Sequence, residues 1–273
     1  MDKTSLGDRM KLSYEQRTRF KLTRRTPTII RIDGKAFHTY TKGLERPFDQ
    51  GLMTDMDEVA KYLCKNIQGC KFAYIQSDEI SLLLTDWDTL TTDAWFDYNV
   101  QKMCSVSASM ATSKFNEQRI KRVYLETSDK QLELEGFKFP KLAEFDSRVF
   151  QVPYSEINNY FLWRQQDATR NSIASVAQSM YSHKELFGKN TDQMQELIFQ
   201  KGTNWNDYAP YFKRGRVVKK VAIRPLDLIA SESLQVSQEV ISNEATRSKW
   251  EVDTGIPVFS QSPDYLMSMI LEI

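Results

Sequence analysis

The sequence predicts an α+β fold close to a split β-α-β-β-α-β sheet, and three observations carry that expectation. β-rich runs alternate with helical stripes up to Phe115, two apolar runs flank a polar corner at "QSDE", and a further strand-like run spans Glu144–Pro153. Sheets of this order are expected to carry their helices on one face.

The elements follow in order. Residues 8–25 read as a basic helix. "TPTIIRIDGKAFHTYT", Thr26 to Thr41, opens with β-branched residues and places a Gly directly after an Asp, which reads as a strand running into a turn. Leu52, Met56, Val59, Ala60 and Leu63 recur at three- and four-residue steps, giving residues 51–67 the apolar stripe of a helix lying on a sheet. Lys71–Gln76 is a second strand. The chain then crosses Ser77, Asp78 and Glu79 and resumes as "ISLLL", a hairpin with its acids at the turn. Trp95–Phe115 reads as a long helix, rich in Ser and Ala where it must approach the sheet closely. After Glu144–Pro153, residues 154–182 form a long amphipathic helix with Ser155 and Asn158 as early caps and Trp163 in the core. From Val217 short β-rich pieces alternate with polar turns, and Arg247–Phe259 reads as a structural hairpin. No Gly/Pro-rich linker marks a boundary, so the division into residues 1–140 and 141–273 is soft.

A chain of 273 residues with 41% hydrophobic content can bury a substantial core. Lys and Arg number 37 against 36 for Asp and Glu, a near-zero balance that makes no case for a generally basic nucleic-acid coat. The distribution says more. Met1–Arg25 holds eight basic residues against three acids, Lys213–Arg224 holds six basic residues and no acid, and Asp78–Asp97 holds six acids and no base. Each run alone suits a solvated surface; together they suit a polyanion held by its phosphates beside a cation-binding centre. Cys64, Cys70 and Cys104 are odd in number and lack C-x-x-C spacing, so neither a disulfide framework nor a zinc site is indicated and a reducing, cytoplasmic setting fits. No apolar run approaches the roughly 18 residues that span a bilayer.

Chemistry concentrates at two acids. In a split β-α-β-β-α-β sheet the strand ending at Asp33 lies next to the hairpin carrying Asp78, so the two carboxylates converge. Mg²⁺ prefers oxygen ligands and is held by one or two carboxylates plus substrate phosphates. Two such ions about 3.5–4 Å apart serve in-line displacement. Glu79 points to the other face wherever strand alternation persists, which gives it a supporting or substrate-side role. Taken singly, "SDE" is an ordinary charged turn and "IDGKAFH" an Asp-Gly turn; in combination they point to phosphoryl transfer, with Gly34 letting backbone approach a triphosphate.

At these residues the chain closely resembles the tRNA-histidine guanylyltransferase superfamily, which adds nucleotides to RNA 5′ ends in the 3′-to-5′ direction. The resemblance runs through "RIDGKAFH", "RPFD", "YIQSDEISLLL", "QKMCSVSASMATSKFN", "FDSRVFQVP", "YFLWRQQDATRNS" and "GTNWNDYAPYFKRG". It implies a polymerase- and cyclase-like palm in which Asp33, the Gly34 carbonyl and Asp78 hold two Mg²⁺ ions and Glu79 is needed for catalysis. It further implies that Lys35, Ala36, Phe37 and His38 line a bound triphosphate, with Arg46, Asp49, Ser77 and Lys102 as further nucleotide contacts. Asn171, Asn204 and Asn206 match positions near nucleotide or RNA, and each is equally an ordinary local hydrogen-bonding residue. Lys213 and Arg214 are expected to grip RNA phosphates from the C-terminal region. ATP and GTP or other NTPs are the implied substrates, tRNA or a tRNA-like RNA the partner, and a homotetramer the assembly.

Departures from the pattern bear on substrate. Arg46 stands where the eukaryotic members have Lys, Tyr98 and Asn99 replace an Arg pair, and the His-Ile-Asn-Asn motif reads Thr169, Arg170, Asn171, Ser172. Loss of that histidine favours the bacterial-type branch, which refills truncated tRNA 5′ ends against a template, over addition of a single G to tRNA-His. A palm-type nucleotide cyclase working without RNA and a catalytically silent RNA-binding module remain as alternatives of other classes.

Overall fold

Six strands form one continuous antiparallel sheet in the order β4-β1-β3-β2-β5-β6. The computed structural model describes residues 5–128, 136–223 and 248–271. The strands are β1 (Thr28–Gly34), β2 (Cys70–Gln76), β3 (Glu79–Leu84), β4 (Phe145–Gln151), β5 (Arg216–Ala222) and β6 (Ser248–Asp253). The helices are α1 (Leu6–Ser13), α2 (Phe37–Tyr40), α3 (Gln50–Asn66), α4 (Val100–Glu126), α5 (Ile157–Met180), α6 (His183–Leu186), α7 (Thr191–Gln200), α8 (Pro210–Arg214) and α9 (Asp264–Leu271).

Alternation along the strands sorts the core into two layers. Ile30, Ile32, Ala73, Ile75, Ile80, Leu82 and Leu84 point to one face and pack against Met56, Val59, Ala60 and Leu63 of α3 and Met103, Ala111 and Phe115 of α4. The intervening residues Ile29, Phe72, Tyr74 and Leu83 point the other way, against Ile157, Tyr160 and Phe161 of α5 and against Ile256, Phe259, Leu266 and Ile270. Helices therefore cover both faces, not the single face expected, because β1, β2 and β3 are apolar on both sides.

Several expected elements differ in extent. The basic N-terminal helix stops at Ser13: none of its residues is buried, so no packing energy carries it further, and the chain continues through a short 3-10 turn at Glu15–Thr18. The long helix expected from Trp95 begins at Val100, after Phe96, Asp97 and Tyr98 adopt left-handed φ angles of 51°, 50° and 52°. Its buried stripe, Met103, Ser107, Ala111 and Phe115, is narrow and small in the middle, and Ser107 Oγ lies 2.7 Å from Ser147 Oγ on β4. Trp163 is 47% exposed on α5, not core, with the Arg164 guanidinium 4.4 Å above its ring. The C-terminal strand pairs antiparallel with β5, Val217 opposite Asp253, and the described residues after Asp253 add no second strand. Arg224 and Arg247 lie outside the described residues. Among the described residues no helix is long and apolar enough to cross a membrane.

Candidate active site

The turn that joins β2 to β3 has two residues, Ser77 and Asp78, because Gln76 pairs directly with Glu79. Ser77 takes a left-handed φ of 48° to close it. On the other side of β3, Asp33 of β1 pairs with Glu79, so Asp33 lies one position from Asp78 across the ladder. The two acids thus meet at one corner of the sheet. Burial, and then the charge of Asp33, push the Asp78 carboxyl up to about 6. Among the described ion pairs none includes Asp78, and Asp33 has only the Arg31 guanidinium, 3.9 Å away.

Glu79 is held differently. Cross-strand pairing puts it on the α5 face with Asp33, where Arg164 donates to it from Nε at 2.7 Å and from a terminal nitrogen at 2.6 Å. Arg31 reaches the same carboxylate at 2.9 Å, and Arg164 also contacts Asp167 at 3.0 Å. Two guanidiniums occupy Glu79, so it anchors Arg31 and Arg164 beside the acid corner rather than standing free.

After β1 the chain turns through Gly34 and left-handed Ala36 (φ 53°) into α2. A Cβ on Gly34 would sit 2.2 Å from the Phe37 ring, so the turn tolerates no side chain there. The Phe37 ring itself is core, stacked on Tyr40 and tilted against Phe145, which leaves backbone as what this residue can offer a ligand. The first N–H groups of α2 have no carbonyl one turn back to bond. Lys35 turns its ammonium onto Glu144 at 2.5 Å, a contact that raises its pKa.

A cavity of about 510 Å³ opens beside this corner. His38, Arg46, Asp49, Ser77, Asp78 and Asn171 all line it. Phe48 and Phe212, stacked at 4.6 Å, give it an aromatic lining. Asp49 caps α3, accepting from the N–H of Leu52 at 2.6 Å and of Glu45 at 3.2 Å, so its carboxylate is already committed to backbone. Arg216, at the cavity floor, is paired with Asp57 at 2.6 Å. Burial raises the Asp57 carboxyl pKa against the opposing pull of Arg216.

Other expected residues lie elsewhere. Lys102 sits in the first turn of α4, over the Phe96 ring at 5.7 Å. Just before α4, the Tyr98 hydroxyl donates to Asp86 beyond the far end of β3, while further along α4 Ser107 meets Ser147, one residue along β4 from the Asp33–Asp146 pair; α4 therefore starts toward the opposite end of the sheet, and the structure does not bring Lys102 to the cavity. Asn204 accepts from the Asn206 N–H at 3.0 Å and so closes its own turn. Lys213 lies over Trp205 at 5.4 Å and donates to the Asn206 carbonyl; burial lowers its pKa. The Arg214 carbonyl accepts from the Tyr74 hydroxyl at 2.7 Å. Those four form one group around α8, adjoining the cavity through Tyr211, Phe212 and Gly215. Sequence reasoning missed Gln76, Arg31, Arg164 and Arg216; only the last three carry a charge that could have drawn notice, and their partners are distant in sequence.

Among the described residues no group of three or more His, Cys, Asp or Glu side chains is placed to hold a metal. Two converging carboxylates, both partly buried and one of them without a cation among the described ion pairs, with a backbone carbonyl beside them, fit an oxygen-binding ion that completes its shell with water and phosphate.

A family model for tRNAHis guanylyltransferase (Thg1) matches residues 7–153, more than half of the chain. The chain belongs to this family. It is a nucleotidyltransferase of the Thg1 family. A solved bacterial tRNA(His) guanylyltransferase (Thg1)-like protein in complex with ATP superposes with a TM-score of 0.78 at 42% identity, covering 98% of this chain and 100% of that one. A complex of such a bacterial protein with GTP gives a TM-score of 0.75 at 41% identity over the same shares. The tRNA(His) guanylyltransferase of Debaryomyces hansenii is 28% identical over 71% of this chain and 73% of its own. The family model ends at the close of β4, so Asp33, Asp78 and Glu79 fall within it, while α5, α8 and their residues fall outside it.

Proposed function

We propose that this Thg1-family enzyme is a Mg²⁺-dependent, template-directed 3′-to-5′ nucleotidyltransferase that rebuilds the 5′ end of tRNA or a tRNA-like RNA, on a palm-like sheet. The observation that carries this reading is the meeting of Asp33 and Asp78 at a sheet corner that opens on a nucleoside-sized cavity. The bacterial relatives bound to ATP and to GTP support ATP and GTP as substrates here.

Asp33, the Gly34 carbonyl and Asp78 would hold two Mg²⁺ ions, which when bound would neutralise triphosphate charge and stabilise the departing pyrophosphate. The rest of the work falls to the chain. The Phe37 and His38 N–H groups at the start of α2 are offered to phosphate oxygens, with Arg46 at the cavity wall as a cation for the tail. Phe48 and Phe212 give the nucleoside an apolar seat. Arg31 and Arg164 lock Glu79, and through it the end of β3, so that the acid corner is preorganised before substrate arrives. Lys213, Arg214, Asn204 and Asn206 form the side of the cavity mouth that meets RNA.

The RNA 5′-monophosphate attacks the α-phosphorus of ATP, giving an adenylylated end and pyrophosphate. The 3′-hydroxyl of an incoming NTP then attacks that activated phosphate and expels AMP. Positioning of the reacting groups supplies much of the rate. Thr169 and Ser172 replace the histidine-containing motif, and Ser172 Oγ is taken by the Trp205 indole N–H at 3.0 Å, which favours repair over obligatory G addition.

The test incubates 5′-monophosphorylated, 5′-truncated tRNA with Mg²⁺, ATP and labelled NTPs. Extension that follows the template supports the reading; a single untemplated G on tRNA-His, or a cyclic product formed without RNA, replaces it. Size-exclusion chromatography with light scattering tests the accompanying proposal of a homotetramer.

A further inference from the structure

Gln76 is the described side chain in which both polar ends, Nε2 and Oε1, are buried without a hydrogen-bond partner. It is 4% exposed. An amide so placed is costly, and native proteins keep such groups where something outside the chain completes them. Its neighbours cannot. Gln76 pairs with Glu79, whose carboxylate is filled by Arg31, Arg164 and Ser81. Ile75 pairs with Arg216, which brings Gln76 level with Gly215, a residue with no side chain to offer. Strand alternation turns Gln76 to the face of Tyr74, and the Tyr74 hydroxyl is spent on the Arg214 carbonyl. From α5, Ala168, Asn171, Ser172, Ser175 and Gln178 line the same cavity, and none of them hydrogen-bonds the Gln76 amide.

The same residue lines the cavity next to Ser77 and Asp78. We propose that the Gln76 carboxamide reads the nucleoside of the bound nucleotide, its N–H₂ donating to and its carbonyl accepting from one ligand. Phosphate oxygens accept only and would leave Oε1 unpaired and repelled. A nucleoside offers both functions together, on a base edge or at a ribose hydroxyl. The stacked Phe48 and Phe212 rings, which line the same cavity, suit the same occupant. This inference rests on the nucleotide reading above and names the group that would make that site select a nucleoside and not merely a polyphosphate.

The prediction has two opposed signs. Exchanging the amide for an apolar side chain of similar length removes an unsatisfied buried group, so the free protein gains or keeps stability while the nucleotide complex weakens. Loss of two neutral hydrogen bonds corresponds to roughly tenfold in Kd. The experiment measures Kd by calorimetry, with Mg²⁺ and the full chain, for ATP, 2′-deoxy-ATP and inorganic tripolyphosphate, and Tm without ligand, in wild type, Gln76→Met and Gln76→Leu. Expected are a Tm at or above that of wild type, about tenfold weaker ATP binding, and unchanged tripolyphosphate binding. Base reading weakens ATP and 2′-deoxy-ATP alike; ribose reading erases a wild-type preference for ATP. Equal ATP affinity in wild type and both variants, parallel loss of tripolyphosphate, or a lowered Tm in both variants overturns the inference. Wild type that binds neither ATP nor 2′-deoxy-ATP overturns the nucleotide reading beneath it.

Discussion

Asp78→Asn is expected to stabilise the metal-free protein while abolishing transfer, and the size of the gain depends on pH in a way that burial of Asp78 fixes. Its carboxyl titrates near 4 when unfolded and at about 6 when folded. Folding therefore favours the protonated form, and the ionised form is a liability to the native state. Above pH 6 that liability is fully present; it shrinks as pH falls through the folded value and is nearly gone by about pH 4, the unfolded value. A difference of about two pKa units is worth about 3 kcal/mol at pH 8, falling to about 1.5 kcal/mol at pH 5. Asn removes the charge and keeps the shape, so the variant-minus-wild-type stability should follow that curve. For a chain of this length the gain at pH 8 is roughly 5 °C in Tm. The assay is urea or thermal unfolding of both proteins with chelator present, at pH 8, 6 and 5. Excess Mg²⁺ with ATP should narrow the gap by stabilising only the wild type. A variant no more stable at pH 8, or a gain that does not shrink toward pH 5, refutes the reasoning that Asp78 is an uncompensated carboxylate awaiting a cation.

Arg164→Met leaves the buried Glu79 carboxylate with Arg31 as its one remaining cation, beside the Ser81 hydroxyl, and should cost about 3–5 kcal/mol in chemical denaturation; Glu79→Leu combined with Arg164→Met should recover most of that stability without recovering transfer. Gly34→Ala forces the Phe37 ring from its place and is expected to lose about 1–3 kcal/mol together with most nucleotide affinity, read by unfolding and calorimetry. Asp55, fully buried between Arg119 and Arg122 on the α3–α4 contact, serves as a control. Asp55→Asn should lower stability by about 3 kcal/mol yet leave kcat unchanged in the assay at a temperature where the variant stays folded.

Much of the corner was legible in the chain because it depends on local pattern. "QSDE" between two apolar runs specifies a tight hairpin, and the split β-α-β-β-α-β order sets the strand that ends at Asp33 beside it, as the β1–β3 pairing shows. The α3 stripe read equally well, since Met56, Val59, Ala60 and Leu63 are the residues that pack. What failed depended on partners far along the sequence. Basic residues 14–25 look helical but have no apolar face to bury, and the helix ends at Ser13. The second helical layer was missed because strands apolar on both sides read like strands apolar on one. Glu79 was assigned by alternation to the face away from Asp78, yet its two arginine partners lie 48 residues before it and 85 after it, beyond any local signal. Asp49 carries the mark of a helix cap, a side-chain acceptor just before an apolar stripe, and that simpler role is the one its hydrogen bonds fill. Gln76 gave no signal at all: an amide at a strand end becomes informative only when its surroundings are seen to leave it unpaired.

The most direct test of the central claim is a crystal of the full chain grown with Mn²⁺ and a non-hydrolysable ATP analogue, with anomalous scattering used to place the ions. Manganese peaks contacting Asp33, the Gly34 carbonyl and Asp78, with triphosphate oxygens completing their shells, are the predicted result. Manganese and triphosphate bound together at some other part of the molecule, with Asp33 and Asp78 touching neither, would contradict it.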